Sequence, residues 1–529
     1  MAKKFNTTGL CLPDRHYMVD TSKKVESIIQ LVNEGDYFVI NRARQYGKTT
    51  TLHLLAEKLK SQYTVFSLSF EGIGENAFES EYSFCRTLLH LMDRETRYGK
   101  TIGLSESVIG EMRQLGEKEQ IDFLSLTDFF LDLCDKSKMP VVLIIDEVDQ
   151  ASNARTFIDF LGVLRNNYLQ RGQMPAFQSV ILAGIYDIKN LKLKIRPDEE
   201  HQYNSPWNIA ADFNVDMSFS AEEIAQMLLE YESEHHTEMN IAEISKLIFD
   251  YTLGYPYMVS RICKIMDEGI GVKNEAEHAD CIWSKEGFLI AVKCLLREQN
   301  LLFDDMQKKL ADFPELKKLI YEILFHGTKY SFETNNTAVE LGSRFGFLKD
   351  QNGSVVISNR IFETKLYNIF LSEEETKSVM YKAGALDKNQ FIVNGKLCMD
   401  FVMEKFCEHF TEIYGDTDQK FVEDNGRRIF LMYMKPIING TGNYYVESRT
   451  RDLKRTDVII DYHGVQEIVE LKIWHGKEYN SRGEQQLFEY LDYYKKEKGY
   501  LLSFNFNKEK KIGIHIFEYH GKTIVEVVC

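Results

Sequence analysis

No stretch of the sequence reaches the eighteen or so consecutive apolar residues that a membrane-spanning helix needs. The opening residues, MAKKFNTTGL, lack the apolar core of a signal peptide, so export is not expected. Proline is scarce, with 8 in 529 residues, and glycine is moderate at 32, which argues against long disordered linkers. Positive charge is in deficit. A formal net charge of -16 excludes a basic footprint over the whole chain, so any nucleic-acid contact must be local. The acidic excess lies mainly before residue 380, and the remainder is close to neutral. The 9 cysteines are scattered, with no CxxC pair and no Cys/His cluster at zinc spacing. They read as reduced, largely buried thiols of a cytoplasmic protein. No internal repeat is present. What remains is globular, 44% hydrophobic and 12% aromatic, and too long for one core, so about two to four domains are expected.

The chain is organised around YFVINRARQYGKTTTL, from Tyr37 to Leu52. A short apolar strand runs into a turn that closes on Gly47-Lys48-Thr49, where a helix starts. Strand, loop, Gly-Lys-Thr and helix is the layout of a nucleotide phosphate cradle. Gly47 lets the backbone approach a phosphate, Lys48 reaches the β and γ oxygens, and the Thr49 hydroxyl holds Mg²⁺. Arg44, Gln45, Tyr46 and Thr50 complete the expected ATP-binding loop. The first glycine of the usual pattern is replaced by Arg42.

A second segment, PVVLIIDEVDQ from Pro140 to Gln150, supports this reading. A fully apolar strand suits a central parallel position, buried on both faces. Asp146 and Glu147 fall at its C-terminal end, where open α/β sheets bind ligands. Asp146 is expected in the Mg²⁺ shell and Glu147 beside the attacking water. The loop lies roughly a hundred residues upstream, a usual separation for such a site. Further strands are expected at 63–70 and 179–184, with Asp187 a candidate phosphate sensor. Arg165, Arg171 and Arg196 are candidate phosphate-reaching arginines, each weighed against an ordinary surface role. Tyr17 or His16 is a candidate base contact, weighed against plain core packing. Ser220 and Glu223 form a capping box. Helices flank Gly254-Tyr255-Pro256, with Arg261 one turn into the second. Helices then end in a hairpin around Asn352-Gly353, which suggests a winged helix that packs on the core.

A third segment, RTDVIIDYHGVQEIVELKIW from Arg455 to Trp474, follows two further helices. Glu470 and Lys472 share one face of a strand, and Asp457 on the neighbouring strand can meet them. Two carboxylates make a site for Mg²⁺ or Mn²⁺, which lowers the pKa of water and clamps phosphate oxygens, while Lys472 stabilises growing charge. The bland alternative is a cross-strand salt bridge. The basic run Arg449, Arg451, Lys454 and Arg455 could neutralise a DNA backbone.

The helix, Gly-x-Pro, helix layout resembles the lid of the STAND-type and archaeal-type branches of the AAA+ superfamily. D-x(12)-E-L-K followed by Q-x-x-x-Y resembles the PD-(D/E)XK nuclease superfamily, with Gln486 and Tyr490 similar to its RecB-like branch. That resemblance implies that Gln486 and Tyr490 position DNA. It also implies a further acid, with Glu447 the first candidate and Glu423 the second. Thr456 stands where the family has proline. HYMVD, NRARQYGKTT, LIIDEVD, GYP and ELKIW together resemble a bacterial family of AAA-like ATPases with a C-terminal PD-(D/E)XK domain, in which arginine-rich loops similar to that at Arg42 occur.

The resemblance implies an α/β protein. A P-loop (RecA-like/AAA+) parallel sheet over 1–215 precedes a helical lid and winged-helix-like middle over 216–375. A PD-(D/E)XK nuclease-like domain follows over 380–529. It further implies ATP and Mg²⁺ as cofactors, DNA as partner, and roles in DNA processing, mobile elements or phage defence. A second copy of the chain is a candidate partner. The expected activities are ATP hydrolysis and metal-dependent DNA cleavage. The alternative is an ATP-driven switch or scaffold that binds nucleic acid or a partner without cutting. A translocase would need helicase-type motifs, which are not found.

Overall fold

The structure is a computed structural model that describes residues 3–99, 101–151, 154–185, 206–269, 282–326, 328–415, 423–439, 442–447, 457–463, 465–473, 477–505 and 511–529. The side chains of 423, 424, 445–447, 457, 473, 477–482 and 493 are not among those described. The chain divides into two compact units. One holds residues 1–236, 254–264 and 344–346, and the other 237–253, 265–343 and 347–529.

The first unit is built on a parallel sheet of β1 (Phe38–Asn41), β2 (Thr64–Ser69), β3 (Val141–Asp146) and β4 (Ser179–Gly184), in the order β1-β4-β3-β2. All six residues of β3 and all six of β4 are buried. These apolar runs take the two central positions because only there are both strand faces covered. Helices Ser22–Glu34 and Lys48–Leu59 pack on one face through Val25, Ile28, Leu52 and Leu55. Helices Glu81–Tyr98, Glu106–Gly116, Phe123–Lys136 and Arg155–Gln170 cover the other with an aromatic-rich core. Beyond the sheet, Ala211 bridges to Phe38 in parallel, and Phe213 stacks on Phe38 at 5.9 Å. The helix Ala221–His235 starts at the expected capping box, with Ser220 and Glu223 exchanging side-chain and backbone hydrogen bonds.

In the second unit, helices Ile241–Thr252, Lys285–Arg297, Leu301–Asp312, Pro314–Phe325 and Thr337–Arg344 precede a hairpin of β5 (Leu348–Gln351) and β6 (Ser354–Ile357). Asn352 and Gly353 have φ of 54° and 80°, as the Asn-Gly turn requires. Helices Arg360–Glu374 and Val379–Asp387 and a two-residue ladder, β7 (Ile392–Val393) with β8 (Lys396–Leu397), lead to helices Met399–Tyr414 and Glu423–Ile438.

A six-stranded mixed sheet then forms from β9 (Gly442–Glu447), β10 (Asp457–Tyr462), β11 (Val465–Ile473), β12 (Lys498–Phe504), β13 (Gly513–Tyr519) and β14 (Lys522–Val528). Its order is β13-β14-β12-β11-β10-β9. β9, β10 and β11 are antiparallel neighbours, while β12 is parallel to β11 on one side and to β14 on the other. The helix Lys477–Tyr493 makes the β11-to-β12 crossover. It packs on the sheet through Leu487, Tyr490 and Leu491 against Ile468, Leu501 and Ile524.

Candidate functional site

In the first unit the turn after β1 tightens at two left-handed residues, Gln45 with φ 57° and Gly47 with φ 80°. Gly47 is the N-cap of the helix Lys48–Leu59. Its missing side chain leaves open space, since a Cβ there would meet Pro256 only at 4.0 Å. Arg42 explains why the usual first glycine is dispensable. Its φ is not positive, and its guanidinium turns away to the carbonyls of Phe213 (3.3 Å) and Val215 (2.9 Å) and the Phe213 ring (5.1 Å). No side chain therefore crowds the loop from that position.

The Thr49 hydroxyl donates to Asp146 Oδ2 at 2.7 Å, joining the loop to the end of β3. The other Asp146 oxygen accepts from the Glu147 amide at 2.9 Å. Lys48 is buried and donates to the carbonyls of Arg42 (3.0 Å) and Ala43 (3.2 Å). Burial lowers its pKa, opposed by the charges of Glu147, Asp149 and Asp146. Glu147 has φ 56°, and burial and then Asp146 raise its carboxyl pKa. Gln45 Oε1 is buried with no hydrogen-bond partner among the described residues.

The Gly254-Tyr255-Pro256 turn closes over this loop. The Tyr255 hydroxyl donates to the Arg44 carbonyl, and its ring meets Tyr46 edge-on at 4.7 Å. Gly254 must be glycine, because a Cβ there would fall 1.9 Å from the Phe219 carbonyl oxygen at φ 70°. Sequence reasoning missed Asp149, whose Oδ2 accepts from the Ile185 amide at 2.5 Å and so ties β3 to the end of β4. A third acid within four residues of an apolar strand was the available signal.

Other candidates have different partners. Arg165 donates to Asn208 at 3.0 Å, and Arg171 to the Gly35 carbonyl at 2.7 Å. Tyr17 is buried among Phe5 and Tyr231 and donates to Glu234 at 2.6 Å, while His16 Nδ1 accepts from the Leu12 amide at 2.9 Å. Thr50 accepts from the Cys11 amide at 3.3 Å. Arg261 is half-buried on the helix Pro256–Glu268. Asp187 and Arg196 lie outside the described residues.

In the second unit Asp457 is the register partner of Glu470 on one side and Glu447 on the other, so three acidic positions fall in line across β9, β10 and β11. Glu470 is fully buried and paired with Lys472 at 2.7 Å. The helix Lys477–Tyr493 lies close above them. A Cβ on Gly483 would stand 3.2 Å from Lys472 Cγ, and one on Gly499 would stand 2.9 Å from Leu491. Tyr490 is buried, and burial and then the nearby Glu470 charge raise the pKa of its hydroxyl. Gln486 lies one turn earlier and is half-buried.

Ser503, the register partner of Lys472 on β12, donates to the buried Glu526 at 3.0 Å. Neither was anticipated, because the motif ends before β12. Among the described side chains no group of three or more His, Cys, Asp or Glu could hold a metal, and those of Asp457 and Glu447 are outside that set. Glu423 opens the helix Glu423–Ile438, its side chain likewise outside. So is the basic run at 449–455.

The described cysteines are free thiols, and no described helix is long and apolar enough to cross a membrane. No curated protein matches the chain. Among solved structures it is similar to a Walker-type ATPase of Pyrococcus abyssi, at 14% identity and a TM-score of 0.44, over 68% of this chain and 99% of that one. It is also similar to the Aeropyrum pernix ORC2 protein in ADPNP and ADP complexes, at 13% identity and a TM-score of 0.36, over 70% and 97%. A third is the Aeropyrum pernix ORC1 protein in complex with DNA, at 12% and 0.29, over 68% and 96%. All three are distant likenesses. The AAA-like domain family matches residues 12–366, from the segment before the loop to the helix that begins at Arg360. The chain belongs to that family.

Proposed function

We propose that the first unit binds and hydrolyses ATP and that the C-terminal sheet cleaves DNA with a divalent metal. The observation that carries the first part is the Thr49–Asp146 hydrogen bond at 2.7 Å, which brings loop and strand end into one site beside Lys48. The residues fit the nucleotide. Gly47 leaves a cradle that a Cβ would narrow, and Gln45 offers a buried amide oxygen with no partner. Arg44, Gln45, Tyr46, Gly47 and Thr50 would surround the phosphates, with Thr49 and Asp146 toward Mg²⁺, which supplies charge neutralisation there. Lys48 gives up its two main-chain carbonyls for phosphate oxygens. Glu147, with its raised pKa, accepts a proton and orients the attacking water.

The second part is supported by the aligned acidic positions Glu447, Asp457 and Glu470 with Lys472 beside them. The chemistry of that donor set suits Mg²⁺ or Mn²⁺, which would polarise a phosphodiester and acidify water. Lys472 stabilises the charge that develops on the phosphate, and Gln486 and Tyr490 hold the strand. The test is cleavage of linear and circular DNA with Mg²⁺ or Mn²⁺, with and without ATP, by wild type and Asp457→Ala. Metal-dependent cutting lost in the variant supports the reading. Cutting unchanged in the variant defeats it.

A second reading, an ATP-driven switch whose C-terminal sheet binds without cutting, is favoured by one observation. Glu470 is 0% exposed and already paired with Lys472, as in a structural ion pair. An ATP-dependent change of mass or shape, with no cutting under any condition, would decide for it.

A further inference from the structure

The second unit contains a partly buried polar cluster that neither reading uses. Arg360 opens the helix Arg360–Glu374. Its guanidinium stands 5.0 Å from the centroid of the Tyr251 ring and donates to the Tyr494 hydroxyl at 3.2 Å. Tyr251 is buried on the helix Ile241–Thr252, and its hydroxyl hydrogen-bonds with Arg360 and Gln466. Gln466 and Asp461 are buried register partners at the turn end of the β10–β11 hairpin, whose other end carries Asp457 and Glu470. Tyr494 follows directly on the helix Lys477–Tyr493, and its amide donates to the Tyr490 carbonyl at 2.8 Å. Arg360 thus links the helix of Tyr251 to the end of the helix carrying Gln486 and Tyr490, and Tyr251 in turn links to the hairpin through Gln466.

The Arg360 guanidinium is half-buried, and a guanidinium partly withdrawn from water favours an arrangement that satisfies its donors and fixes its partners. Such a cluster has discrete arrangements rather than a continuum, so Tyr251 cannot move without carrying Arg360 or breaking a buried hydrogen bond. Tyr251 is also close in sequence to the turn that closes over the nucleotide loop. Thr252 and Leu253 join it to Gly254-Tyr255-Pro256, the turn whose tyrosine donates to the Arg44 carbonyl and whose proline lies against Gly47.

We propose that Arg360 is a positioning residue for the C-terminal site. It fixes the helix carrying Gln486 and Tyr490 over Glu470 and Lys472. It passes to that helix the displacement of Tyr251 produced when phosphates enter the loop beneath the Gly254–Pro256 turn. The inference rests on the ATP-binding and DNA-cleaving reading above.

The test uses the full chain and hydrogen–deuterium exchange read by mass spectrometry, with and without a non-hydrolysable ATP analogue and Mg²⁺. In wild type the analogue changes exchange across 457–473 and 477–494. Tyr251→Phe, which keeps the ring and removes the hydroxyl, and Arg360→Gln erase that response while leaving analogue affinity within about twofold, and Arg360→Lys restores part of it. In cleavage assays the nucleotide effect, roughly 5-fold or more in wild type, falls below about twofold in both variants, in kcat rather than KM. A response that persists in both variants overturns the inference. So does a wild type that binds the analogue without any response, and that outcome leaves the proposed function standing. No analogue binding defeats the ATP reading and the inference with it. A response erased in the variants, with no DNA cut by wild type, supports the tie and defeats the nuclease reading alone.

Discussion

Lys48 and Lys472, the lysines of the two candidate sites, are similarly buried, at 7% and 4% exposure, but they are held differently. Lys48 donates to two main-chain carbonyls of its own loop. Lys472 is paired with Glu470, which is fully buried two residues away on the same strand. Carbonyl partners are neutral, so exchanging them for other oxygens leaves no countercharge unpaired. A buried ion pair is different, because removing one member leaves a charge where water cannot reach it. The first lysine is poised to exchange partners, while the second also stabilises the sheet that carries it.

Lys472→Met gives the largest expected effect on stability. It removes the ammonium beside a buried carboxylate and costs about 3–5 kcal/mol in denaturant unfolding. A loss under about 1 kcal/mol would erase the contrast between the sites. Lys48→Ala lowers ATP hydrolysis roughly 100-fold or more, the scale of losing one preorganised donor to developing charge. Its unfolding midpoint moves far less than that of Lys472→Met, and equal shifts in the two variants would break the comparison.

The acid limb of the ATPase rate profile tests Glu147. Burial and Asp146 raise its pKa above the ordinary 4.5, so the proton acceptor is lost, as pH falls, earlier than for an exposed glutamate. Glu71→Gln removes a weaker contribution to that rise and moves the limb slightly down. A limb in the ordinary carboxylate range would remove Glu147 from this role. The smallest effect is expected at Ser220→Ala, which breaks a capping box far from both lysines and costs about 1 kcal/mol without altering either activity.

The parts legible in the sequence were those where one physical requirement dominates locally. The apolar VVLII run reads as a central parallel strand and SVILAG as a further strand, and both form in the parallel sheet. Ser220 with Glu223, and Asn352 with Gly353, are short-range signals, and both formed as expected. Arg42 looked like a fault in the loop only while a glycine was assumed there. The left-handed residues are Gln45 and Gly47 instead, and which residue takes that conformation is settled by the path of the whole turn. Asp149, Ser503 and Glu526 escaped notice because their partners lie on strands brought beside them only by the sheet order.

By itself the sequence determined the elements and the chemistry they can carry. It set a strand ending in a glycine–lysine–threonine turn, a strand ending in acids, and a strand with glutamate and lysine on one face. Those depend on the period of side chains along a few residues, which folding does not change. Only the tertiary structure decided which of these groups meet. Register set Glu447, Asp457 and Glu470 in one row, and packing set Arg360 against Tyr251 and Tyr494. The physical reason is range. A hydrogen bond or ion pair acts over a few ångströms, and the residues that come that close are separated by up to a hundred or more positions along the chain, as Arg360 and Tyr494 are at 134.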